Sequence, residues 1–168
     1  GSARLKTAVD AARRAAGTEP VILLDAGDQF QGSLFFTAYS GQVEAEMMNR
    51  IGFDAMALGN HEFDLGDEAL TRFADTLQAP LLSGSVDASG DAALAGQLSK
   101  PLVLEVGGTR VGIVAATTPE TPEISSPGPG VTFGDPAQTV AADIAGLARE
   151  VREHDPRLAL DGGADGLD

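Results

Sequence analysis

"VILLDAGDQFQGS", residues 21 to 33, runs four apolar residues into an acid and then into a turn. The apolar run reads as a buried parallel strand, "VILLDA", and an acid at the carboxyl end of such a strand stands where α/β sheets place their ligands. Gly27 and Gly32 allow the backbone to turn sharply around Asp25 and Asp28. Taken alone, Asp28 reads first as a turn or N-cap aspartate. Thirty-two residues after Asp28, however, a second strand end appears, "AMALGNHEFD", residues 55 to 64. There Asn60 offers an amide oxygen, His61 an imidazole, and Glu62 and Asp64 carboxylates, in a loop able to hold them together. His61 alone reads equally as a hydrogen-bonded loop histidine, and Asn60 alone as a turn residue.

Helix formers surround these strands. Residues 3 to 16 predict a helix with Leu5, Val9 and Ala12 on one face and Gly17 as its stop; residues 42 to 50 predict another, with Val43, Met47 and Ile51 at helical spacing. A third, about 67 to 77, turns Leu70, Phe73 and Leu77 inward and is followed by the short run "APLLSG". Strand, helix and strand in alternation argue for a parallel α/β sheet.

The second half changes character. "PLVLEVGGTRVGIVAAT" places two apolar runs around Gly107 and Gly108, the composition of a tight hairpin, so part of the sheet system is antiparallel. "TTPETPEISSPGPG" carries four prolines in fourteen residues and reads as loop. Residues 136 to 153 predict a further helix, with Val140, Ile144, Leu147 and Val151 as its stripe. The closing "RLALDGGADGLD" reads as one short strand and a frayed Gly/Asp-rich end over 155–168.

Composition narrows the classes. The 168 residues, 43% hydrophobic, read as one domain over 1–168. Eleven Lys and Arg against 25 Asp and Glu leave a net charge of -14, which repels phosphate backbones and anionic headgroups. No nucleic-acid partner is expected, and an anionic substrate needs bound cations to reverse the local field. No apolar run approaches the ~18 residues that span a bilayer. With no cysteine, disulfides and thiolate metal sites are excluded.

Through "LLDAGDQFQGSLFFTAYSG", "EMMNRIGFDAMALGNHEFDLG" and the hairpin leading to "TTPE", the chain resembles the 5'-nucleotidase family of the calcineurin-like metallophosphoesterases. That resemblance implies a four-layer α-β-β-α sandwich with mixed sheets. It implies two divalent cations, with Asp28 bridging them and Asn60 ligating one; Mn, Zn, Fe and Co all suit Asp, Asn and His donors. It makes His61 and Asp64 the catalytic pair: Asn60 and His61 face the substrate phosphate, and Asp64 orients or charge-stabilises His61. His61 then either donates a proton to the leaving oxygen or hydrogen-bonds its developing charge. The implied substrate is a small phosphoester, a nucleotide, and the implied parent protein is secreted or periplasmic.

The family pattern also has an Asp-x-His pair before the first strand present here, a later histidine and a Gly-His-x-His segment. His154, in "REHDP", reads as a solvated helix-end residue, and Asp161 is a weak oxygen-ligand candidate. The chain therefore reads as a partial catalytic domain, inactive in isolation. With a central strand missing, it is expected to form a homodimer or exchange strands. The alternative is a non-catalytic interaction or structural module on the same fold that has lost its metal ligands. A calcium-stabilised extracellular module is weaker still, because it does not explain the order of the two loops.

Overall fold

A computed structural model describes residues 1–147; His154, Asp161 and the 155–168 end lie outside the described residues, as does Val151. The fold is mixed α/β. Its first helix, α1 (Ser2–Ala16), leads to β1 (Leu24–Asp25), and two helices, α2 (Leu34–Tyr39) and α3 (Gln42–Ile51), cross to β2 (Ala55–Ala57). A 3-10 turn (His61–Phe63) and α4 (Asp67–Thr76) precede β3 (Leu81–Leu82), β4 (Val86–Asp87) and β5 (Leu98–Ser99). Then come β6 (Leu102–Val106), β7 (Thr109–Ile113), a short α5 (Thr121–Ile124), β8 (Thr132–Phe133) and α6 (Pro136–Gly146).

The main sheet runs β1-β2-β3-β5, and every neighbouring pair in it is parallel. The alternation read from the sequence is therefore right for the first half, with two differences. The "VILLDA" strand shortens to Leu24–Asp25, which is an edge strand of the sheet; Leu24 and, ahead of the strand, Val21 are exposed instead of enclosed. The crossover expected to be one helix is two, because Ser33 accepts the Phe36 N–H at 2.9 Å and caps a separate short helix.

The β6–β7 hairpin forms as the glycines demand. Val106 pairs with Thr109 across a two-residue turn in which Gly107 and Gly108 have φ of 59° and 81°. It makes its own two-stranded sheet, and β4 with β8 makes another. Within the proline-rich segment read as loop, Pro122 stands in the first turn of α5, where its missing N–H costs nothing.

Helix packing follows the predicted stripes unevenly. Leu70, Phe73 and Leu77 are buried as expected. On α3 the buried face is Ala45, Met48 and Ile51, while Val43 and Met47 are half-buried. On α1 no residue is buried, and Leu5 and Ala12 are exposed. What fastens α1 is polar: the Arg13 guanidinium donates to Ile51 O at 2.9 Å and Gly52 O at 2.5 Å, the open carbonyls at the end of α3. On α6, Val140 and Ile144 are half-buried and Leu147 is buried.

Candidate metal and phosphate site

Because β1 and β2 are parallel neighbours, the loops that leave their carboxyl ends emerge side by side. Each loop fixes itself to the core with a phenylalanine two residues after a polar site residue. Phe30 follows Asp28 and lies edge-on to Phe73 at 5.3 Å; Phe63 follows His61 and lies edge-on to Phe133 at 5.4 Å. Both rings are buried, worth roughly 1.5–3 kcal/mol each.

The loops then touch. A Cβ on Gly27 would stand 2.6 Å from the Gly59 nitrogen and 2.7 Å from the Ala57 oxygen, so only glycine lets the two backbones approach this closely. Gly27 also has a φ of 93°.

The two aspartates of the first loop divide the work. Asp25 accepts the Gly27 N–H at 2.9 Å and the Gln29 side-chain amide at 3.0 Å, which makes it the turn-forming carboxylate; burial pushes its carboxyl up, against those hydrogen bonds. Asp28 is exposed and has a φ of 59°, a left-handed conformation that aspartate tolerates better than most residues. Its Oδ1 accepts the His61 backbone N–H at 3.1 Å; among the described residues its other oxygen has no hydrogen bond.

Glu62, read from the sequence only as one more carboxylate of the second loop, is the residue that clamps the loops together. It is fully buried, and its carboxylate accepts four backbone N–H groups: Asp28 at 3.0 Å, Gln29 at 2.6 Å, Phe30 at 3.3 Å and Gly59 at 2.8 Å. Burial pushes its carboxyl up, and the four donors oppose that push. Four inward N–H groups require two acceptor oxygens, which only an ionised carboxylate provides in full. The signal in the sequence was the position of Glu62 between two site residues, but nothing there says that it points inward.

His61 is 46% exposed, and its Nδ1 lies 2.7 Å from Asp64 Oδ2. The hydrogen bond with Asp64 holds the imidazole above its ordinary value. Burial alone would raise the Asp64 carboxyl, but hydrogen bonds from Ser125, His61 and Gln31 hold it below its usual range. Asn60 is half-buried, and its side chain makes no hydrogen bond among the described residues.

Asp28, Asn60, His61 and Asp64 therefore share one end of the sheet. Asp28 and Asn60 are hard oxygen donors with bonding capacity to spare, in a chain of strongly negative charge, and they fit part of a divalent-cation shell. They are not a whole one: among the described residues no group of three or more His, Cys, Asp and Glu is placed to hold a metal ion.

Comparison with known proteins places the whole chain in context. Residues 3–158 match the family model described as "Bacterial capsule synthesis protein PGA_cap". The 5'-nucleotidase of Bos taurus is 45% identical over 148 residues, covering 86% of this chain and 25% of its own length. The structure of a 5'-nucleotidase precursor from Thermus thermophilus superposes with a TM-score of 0.81 at 43% identity, over 86% of this chain and 28% of that one. The Haemophilus influenzae NAD nucleotidase does so with a TM-score of 0.81 at 30% identity, over 88% and 29%. The chain thus spans about a quarter of the length of these curated relatives. The mixed α/β metallophosphoesterase-like fold expected from the sequence is the fold of its structural neighbours.

Proposed function

The chain belongs to the family of that matching model and, with the relatives above, to the 5'-nucleotidases of the calcineurin-like metallophosphoesterases, and on that premise we propose that it is part of the catalytic domain of a metal-dependent nucleotide phosphohydrolase. The observation that carries the proposal is the junction of the two loops, in which the Asp28 carboxylate takes the backbone N–H of His61. In this reading residues 1–168 are one incomplete domain of a longer secreted or periplasmic protein.

Asp28 and Asn60 would hold divalent cations through their uncommitted oxygens. Such ions would supply charge neutralisation for a phosphoryl group and acidify a water. The remaining chemistry belongs to the side chains. Asp64 keeps the Nδ1 side of His61 occupied, so that Nε2 is the nitrogen presented to a substrate. From Nε2 the ring can hydrogen-bond or protonate the leaving oxygen of a phosphate monoester. Glu62 contributes by holding both loops at fixed separation, so Asp28 and His61 need no rearrangement on substrate arrival.

The test is phosphate release from AMP by the longer native protein in the presence of Mn²⁺. Asp28→Ala and His61→Ala should each remove at least about 10²-fold of the rate. Full activity in either variant would show that the chemistry lies elsewhere.

A further inference from the structure

Besides His61, two side chains hold Asp64: Ser125 and Gln31 both hydrogen-bond to its carboxylate. One oxygen, Oδ2, serves His61; the other, Oδ1, accepts the Ser125 hydroxyl at 2.6 Å, a contact made across 61 positions of sequence. Asp64 is only 12% exposed, whereas the ring it serves is nearly half exposed. An exposed imidazole has little packing to orient it, so its direction depends on the carboxylate, and the carboxylate's depends on what grips its far oxygen.

Ser125 is well placed for that. Its own N–H bonds to Thr121 O at 2.9 Å and closes α5. Thr121 is fully buried and bonded through its hydroxyl to Thr118 O at 2.7 Å. Three residues on, the Gly128 N–H reaches both carboxylate oxygens of Asp67 at 3.0 Å. The segment carrying Ser125 is therefore fixed before and after it, to the buried start of α5 and to the first turn of α4. An ionised carboxylate accepts only, so the hydroxyl must donate, and a hydrogen bond to a charged acceptor is about twice as strong as a neutral one.

We propose that Ser125 is a positioning residue for His61: by gripping Asp64 Oδ1 it holds the carboxylate in the orientation that keeps the proton on His61 Nδ1 and leaves Nε2 free to meet the substrate. Its relevance to catalysis rests on the reading of His61 above, but the geometry is testable without activity.

The test uses the ¹⁵N-labelled 168-residue chain with His154→Gln, so that His61 gives the only ring signals. Ring ¹⁵N shifts are recorded at a pH where the imidazole is neutral, with Asp64→Ala defining the released ring. Wild type should show predominantly the Nδ1–H tautomer; Ser125→Ala should move the ring at least halfway to the released value, and Ser125→Thr should restore it. The backbone amide spectrum reports whether each variant keeps its fold. If Ser125→Ala does not, Ser125→Cys, nearly the same size but a weak donor, takes its place. Ring shifts unchanged in a folded Ser125→Ala or Ser125→Cys chain overturn the proposal and leave the hydrolase reading intact, since that reading stands or falls on phosphate release from the native protein.

Discussion

Glu62 reaches Asp28 through the backbone: its Oε2 accepts the Asp28 N–H at 3.0 Å while the Asp28 side chain turns away to meet the His61 N–H. The acid that shapes the loop and the acid that faces solvent are thereby separate residues. Replacing Glu62 by Gln puts an NH₂ group against two of the four inward donors. We expect a loss of about 2–4 kcal/mol, from two buried donors left without an acceptor. Urea unfolding of the two proteins measures it, and a difference below about 0.5 kcal/mol would show that water replaces the clamp.

The glycines at the loop junction differ in kind from those elsewhere. Gly27→Ala meets both a left-handed φ and the backbone of Gly59, and should cost at least about 3 kcal/mol from strain and overpacking together. Gly17→Ala has φ of 64° but nothing within 4 Å, and should cost only about 1 kcal/mol. Equal losses by thermal unfolding would refute the close approach of the loops.

His61 should titrate above its ordinary 6.5, and Asp64→Asn should bring it down. The stability that protonated His61 contributes is full below about 6.5 and is lost as pH rises through the raised folded value. Asp64 has the opposite sense: its contribution is full above its ordinary 3.8 and is lost as pH falls through the lowered folded value. Both contributions coexist between those two ordinary values. Proton NMR of the His61 ring against pH decides the matter, and an unshifted midpoint in wild type counts against the pair.

Asp28 and Asn60 are too few to hold two cations firmly, and each lost electrostatic contact in a site of this kind is worth about 10²–10³ in rate. The 168-residue chain should therefore hydrolyse neither AMP nor p-nitrophenyl phosphate above background with added Mn²⁺ or Zn²⁺. Metal-dependent phosphate release that disappears in His61→Ala would show that these residues suffice.

The main sheet ends at β1, where Leu24 is exposed and lines a cavity of about 250 Å³ together with Ala57, Leu82 and Ile113 among others. Apolar strand edges of this kind pair with other chains. A dimer is expected in light scattering at high protein concentration, and Leu24→Lys should shift it toward monomer. A monomer across the whole concentration range sinks this expectation.

What the sequence made legible follows from how local each signal is. The turn at Gly107 and Gly108 is set by two adjacent residues, and the parallel strands by apolar runs between helices; both are present in the structure. Asp28, Asn60, His61 and Asp64 were singled out because they stand just after those strands in loops that resemble the family's, and the structure brings them to one end of the sheet. Glu62 was missed because an inward turn of the chain, not its composition, decides that its carboxylate meets four amides. Ser125 was missed because its partner is 61 positions away. The helix α1 was legible from its helix formers, but apolar spacing is helical whether or not anything packs against it, so the sequence does not show that Arg13 supplies the attachment.

The left-handed backbone at Asp28 limits what can replace it. A residue at φ of 59° is least strained as glycine and little strained as asparagine or aspartate. Asparagine would keep the turn and discard the charge in a single substitution. If Asp28 holds a cation as proposed, the shortest route from such a loop to an inert one therefore needs no repacking, only the loss of the charge that also strengthens the hydrogen bond from the His61 N–H.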